Sequence, residues 1–76
     1  MLSENYSLIV EVEDDGQTVE LDDGSTWNVP LGDNTISICW YETQRIVVEE
    51  SGDKDYPYRL RNLDTSGDVV KAIRGT

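Results

Sequence analysis

Apolar and polar positions alternate along most of this chain with a period of two, the pattern of strands that bury one face. Leu8, Val10 and Val12 alternate with Ile9, Glu11 and Glu13. Val19 and Leu21 alternate with Thr18 and Glu20, and Trp27 and Val29 carry the pattern on. Asp14-Asp15-Gly16 and Asp22-Asp23-Gly24 separate these runs. An Asp-Gly pair between alternating runs predicts a β-hairpin, because these residues tolerate the positive φ of turns that match strand twist.

Pro30, Gly32, Asp33 and Asn34 then break the chain. The run Thr35-Ile36-Ser37-Ile38-Cys39-Trp40-Tyr41 alternates again, which predicts a strand with Ile36, Ile38 and Trp40 on one face. Gln44 to Glu49 predicts another, with Ile46 and Val48 inward. Residues 50–56 are polar and turn-rich and predict a mobile loop. Pro57 opens the following strand where its missing N–H costs nothing, with Tyr58 and Leu60 on one face and Arg59 and Arg61 on the other. After a turn over 62–68, the tail from Val69 to Arg74 has two readings. Asp68 can cap one helical turn ending at Gly75, but the β-branched content favours a strand.

No amphipathic helix of ordinary length stands out. Short runs at spacings of about ten residues predict an all-β fold: a six- to seven-stranded antiparallel meander closing into a small SH3-like or OB-like barrel. Seventy-six residues make one domain, 1–76, with residues 1–5 read as a loose N-terminal tail. A single cysteine and no histidine leave no disulfide framework or zinc cluster to staple it, and Cys39 reads as a small packed hydrophobe. The core must therefore come from side chains such as Trp27 and Trp40, each predicted inward and near the rim, where its indole N–H meets a partner.

Charge changes the picture. The formal net charge is −10, and residues 1–44 hold ten Asp and Glu with no Lys or Arg, whereas residues 45–76 hold six of each sign. An acidic first half repels nucleic acid and anionic membranes and favours solubility or a basic partner. Most of these acids fall in turns or at alternate strand positions, where solvation alone accounts for them.

Candidate chemistry adds little. Asp14/Asp15, Asp22/Asp23 and Glu49/Glu50 are sequence neighbours, which on a strand face opposite sides and in a turn accept local N–H groups, so none forms an acid–base dyad. Without histidine there is no base to activate a nucleophile, so the expectation is a protein that is not an enzyme. Asp22-Asp23-Gly24-Ser25 and Asp64 to Asp68 carry oxygens suited to calcium but lack the loop length and closing Glu of an EF-hand, so no metal or other cofactor is expected. Nothing in the opening residues or apolar runs reads as a leader or membrane span, which sets a cytoplasmic expectation.

The binding candidates are Tyr56, Tyr58, Arg59 and Arg61 beside the 50–56 loop, a small basic and aromatic patch that fits a peptide or acidic protein partner better than a nucleic-acid duplex. The function expected is a non-enzymatic interaction module. The alternative is an acidic decoy that mimics a nucleic-acid backbone and binds a basic DNA-handling protein.

Leu21-Asp22-Asp23-Gly24-Ser25-x-Trp27, then Trp40, then Arg45-Ile46-Val47-Val48, then Tyr58-Arg59-Leu60-x-Asn62 resembles a group of small, uncharacterised bacterial single-domain β-barrel proteins. That group pairs an L-x-D-G-S-x-W hairpin with a later W…I-x-V strand and a Y-x-L-x-N strand. The resemblance covers residues 19–73 and implies a compact barrel with no catalytic residues to carry over. Thr43-Gln44-Arg45 stands where the group more usually has a Gly-Asp turn.

Overall fold

Six of the alternating runs become strands in a computed structural model that describes residues 5–75. They are β1 (Ser7–Glu13), β2 (Thr18–Leu21), β3 (Thr26–Asn28), β4 (Arg45–Glu50), β5 (Tyr58–Asn62) and β6 (Val69–Arg74). The expected tail lies, for residues 1–4, outside the described residues. The sheet closes in the order β1-β2-β3-β6-β5-β4, with every neighbouring pair antiparallel. The all-β barrel expected from the pattern is therefore present. It consists of two three-stranded meanders, joined where Trp27 and Asn28 meet Arg74 and Ile73, and where Ser7 and Leu8 meet Ile46 and Arg45. Closure of this kind removes the open edges that make small sheets sticky.

The inward faces supply Ile9, Val19, Leu21, Ile46, Leu60 and Val70, all essentially sealed from solvent, with Trp27 and Trp40 packed against them. Trp27 and Trp40 are thus core residues, as their positions predicted. Their N–H groups differ. Trp27 Nε1 donates to Ser25 Oγ at 2.8 Å, whereas Trp40 Nε1 is buried without a partner among the described residues. Gln44 and Asn62 are also buried, and Gln44 Oε1 accepts from both Asn62 Nδ2 (2.9 Å) and the Tyr41 N–H (3.1 Å). That satisfied pair ties the chain before β4 to the end of β5.

Three local expectations need correction. First, the run 35–41 is not a strand. Asn34–Ser37 form one helical turn, α1, and Ile36 and Ile38 lie exposed while Trp40 alone turns inward. Short polar side chains explain the switch, since Asn34 Oδ1 accepts from Gly32 N–H and Thr35 Oγ1 donates to Gly32 O. Such local bonds compete with a sheet ladder. Cys39, on the same segment, is exposed rather than packed.

Second, β1 changes face in mid-strand. Ile9 pairs with Leu21 and Glu11 with Glu20, so two residues of β1 oppose one step of β2. This β-bulge at Val10 puts Ile9 and Val12 toward the core and leaves Val10 exposed. Third, of the β4 pair only Ile46 joins the core. Val48, opposite Leu60, is 36% exposed, because among the described residues β1 lines β4 only at Arg45 and Ile46.

The Asp14–Gly16 connection is the expected hairpin turn, with the positive φ its residues tolerate: 53°, 55° and 88° at the three positions. It is held against α1. Asn34 Nδ2 donates to Asp15 O at 3.0 Å and Ser37 Oγ donates to Gly16 O at 2.6 Å. A Cβ on Gly16 would stand 2.5 Å from the Ile38 nitrogen and 2.7 Å from the Asn34 carbonyl oxygen. Only glycine fits both the backbone angle and the space. The second turn is simpler: Gly24 N–H bonds Leu21 O, Leu21 N–H bonds Ser25 O, and Gly24 alone takes positive φ.

Candidate functional site

The four residues singled out by sequence do not form one surface. Tyr58 faces inward, its ring 5.2 Å from that of Trp27 at an interplanar angle of 72°, so it packs edge-on against the core. Arg59 and Arg61 share the outward face of β5, as their spacing predicts, but both turn to the same carboxylate. Arg59 Nε lies 2.9 Å from Glu49 Oε1 and an Arg61 terminal nitrogen 3.0 Å from Glu49 Oε2, across the register pair Glu49–Arg59. The hydrogen bonds from Arg61 and then Arg59 hold the Glu49 carboxyl below its ordinary value. Tyr56 stands apart, at the wall of a cleft formed with the Asp14–Gly16 turn.

Other cations of the second half are engaged in the same way. Arg45 bonds Asp64 through its guanidinium (2.7 Å) and its backbone N–H (2.8 Å), and that contact keeps Asp64 below the usual carboxylate range. Asp53 accepts the N–H groups of Tyr56 and Asp55, which hold its carboxyl below the usual range, and Lys71 Nζ, 3.2 Å from Asp53 Oδ2, lowers it further. The Arg74 guanidinium lies 5.9 Å from the centre of the Trp27 ring. Exposed pairs of this kind add little stability, because solvent and salt screen them. Their importance here is that they answer the basic charge internally.

The acids of the first half divide into two sets. Asp22 and Asp23 serve the fold: Asp22 Oδ1 accepts the Leu8 N–H at 3.1 Å, and Asp23 Oδ1 accepts the N–H and hydroxyl of Ser25. The Ser25 hydroxyl and N–H hold Asp23 below its ordinary value, and the same hydroxyl accepts from Trp27. Among the described residues no three His, Cys, Asp or Glu side chains are grouped to hold a metal ion.

The second set is free. Glu11, Glu13 and Glu20 lie on the outward face of the β1–β2 ribbon, because the inward register pair is Val12–Val19. Glu11 is directly opposite Glu20, and no base pairs with Glu11, Glu13 or Glu20 among the described residues. Like charges directly opposite on a ladder destabilise it. The ribbon ends in the Asp14–Gly16 turn, so the carboxylates run on to the lip of the cleft. This juxtaposition follows from counting back symmetrically from the turn, but alternate acids read singly look like ordinary solvated positions.

No protein-family model, curated protein or solved structure matches this chain. No helix among the described residues is long and apolar enough to cross a membrane.

Proposed function

We propose that this chain is a non-enzymatic interaction module that takes a basic protein partner on the outward face of the β1–β2 ribbon. The observation that carries the reading is the Glu11–Glu20 pair. Two carboxylates face each other across a ladder without a base, while the arginines of β5 are spent on Glu49. A lysine or arginine from outside relieves that repulsion on binding and supplies attraction from a distance. The non-enzymatic part rests on chemistry: there is no histidine, and every carboxyl with a resolved shift is lowered and stays ionised. A proton donor at neutral pH needs the opposite shift. The SH3-like or OB-like kinship of the barrel, and the resemblance to the bacterial group with the L-x-D-G-S-x-W hairpin, fit a module that carries no catalytic set.

Affinity capture from lysate tests this reading. The wild-type chain retains a basic protein, Glu11→Gln plus Glu20→Gln loses it, and Arg59→Ala plus Arg61→Ala keeps it. A partner that survives the glutamine changes and is lost with the arginine changes moves the interface to β5 and overturns the proposal. If the retained protein handles DNA, free DNA should compete for it in a strongly salt-dependent way, which makes the ribbon a nucleic-acid mimic.

A further inference from the structure

Where the acidic ribbon ends lies an open surface cleft of about 780 Å³. It is broad enough to receive one long side chain and too open to enclose a small ligand. Three separate parts of the chain build the walls: the Asp14–Gly16 turn with Thr18, the segment from Asn28 to Leu31, and Tyr56 from the β4–β5 connection.

The two carboxylates here differ from those of Asp23, Asp53 and Asp64 in the molecule's other connections. Asp23, Asp53 and Asp64 spend their oxygens on nearby backbone N–H groups. The Asp15 carboxylate accepts no hydrogen bond among the described residues, and Asp14 takes only the Thr18 hydroxyl, at a long 3.3 Å. The turn is instead held through its carbonyls, by Gln17 N–H on Asp14 O and Asn34 Nδ2 on Asp15 O. Asp is among the few non-glycine residues that tolerate the left-handed backbone of this turn, but among the described residues the carboxylates make no backbone hydrogen bond that holds it. The same cleft is also lined by Tyr56 and by the apolar strip Val29 to Leu31, whose Leu31 is 79% exposed.

Negative charge at one wall, a ring and aliphatic surface at the others describe the complement of one residue type. We propose that the cleft seats a single lysine or arginine side chain of the basic partner. Its methylene stem lies along Pro30 and Leu31, and its cationic head lies between the Asp15 carboxylate and the Tyr56 ring. This rests on the ribbon reading and deepens it. The ribbon supplies long-range attraction, and the cleft fixes where one cation docks.

The test uses the full 15N-labelled chain, titrated at low salt with two blocked peptides, one arginine-rich and one lysine-rich, and with a citrulline analogue of the first. Expected are amide shifts at Asp15, Gln17, Leu31 and Tyr56 with the cationic peptides and none with the citrulline peptide. Asp15→Asn and Tyr56→Ala each weaken binding by about 5- to 10-fold, the scale of one charge or cation–π contact, while Tyr56→Phe binds as wild type. Asparagine tolerates the left-handed backbone of Asp15, so that variant keeps the turn. Shifts confined to the ribbon, with both cleft variants binding normally, overturn the cleft inference and leave the ribbon reading standing. No binding by either cationic peptide overturns both.

Discussion

Glu20 stands directly across the β1–β2 ladder from Glu11, on the solvent face, with no base against either among the described residues. The β4–β5 ladder, which β4 joins to β1, has the converse arrangement, with Glu49 directly across from Arg59. One ladder therefore pairs opposite cross-strand charges and the other sets like charges in register. A small domain has little stability to spare, so this conflict is informative.

Glu20→Gln should stabilise the isolated protein by about 0.2–1 kcal/mol, the usual size of a cross-strand pair term. A urea titration measures it as a higher midpoint with unchanged slope. Raising ionic strength should raise the wild-type melting temperature, since screening shortens to about 8 Å at physiological salt, and should raise that of Glu20→Gln less. A lower midpoint for Glu20→Gln contradicts the repulsion argument.

Gly16→Ala and Gly24→Ala separate two costs at similar backbone angles, φ of +88° in both. At Gly24 a Cβ meets nothing within 4 Å, so the cost is conformational, about 1–2 kcal/mol. At Gly16 the Cβ also strikes the Ile38 and Asn34 backbone. The Gly16 variant should lose clearly more stability, and equal losses on denaturation show that the contact between this turn and α1 is not tight.

Ser25→Ala removes the acceptor of the buried Trp27 N–H and a donor to Asp23. An orphaned buried donor costs about 1–3 kcal/mol. Denaturation followed by tryptophan fluorescence reads both the loss and the altered surroundings of Trp27. Unchanged stability means that the hydroxyl is dispensable.

Acid should unpick the β4–β5 pairing. The folded state holds the Glu49 carboxyl below its ordinary value of 4.5, so the contribution is fully present above that pH and is lost as pH falls through the lower folded value. Glu49→Gln should therefore melt lower than wild type at pH 7, and the gap should close as pH drops below about 4. The effect is small because the three side chains remain partly exposed. A gap that widens in acid contradicts the assignment.

Much of the barrel was legible in the chain, because its strands are two-sided and carry period-two patterns between glycine turns. The tail Val69–Arg74 resolved as a strand for the reason its β-branched residues suggested. The segment after Pro30 was not legible. Ile36, Ile38 and Trp40 alternate as a strand would, whereas the local bonds of Asn34 and Thr35 and the close approach of Gly16 to the Asn34 and Ile38 backbone favour the helical turn. That approach joins residues 18 and 22 positions apart, beyond the reach of local pattern. The bulge at Val10 was hidden likewise, since alternation cannot show which residue is extra. At the candidate site, the face shared by Arg59 and Arg61 was readable, but their capture by Glu49 depends on the β4–β5 register. The Tyr58 ring went to the core because Trp27 needed a neighbour there.

The affinity of Glu20→Lys for the captured partner, compared with wild type, tests whether the carboxylates of the β1–β2 ribbon serve a basic partner as proposed. Lysine opposite Glu11 completes a cross-strand ion pair, so this variant should fold at least as stably as wild type and yet bind the partner at least tenfold more weakly (~1.4 kcal/mol). A stable Glu20→Lys protein that binds the partner as tightly as wild type would contradict the account.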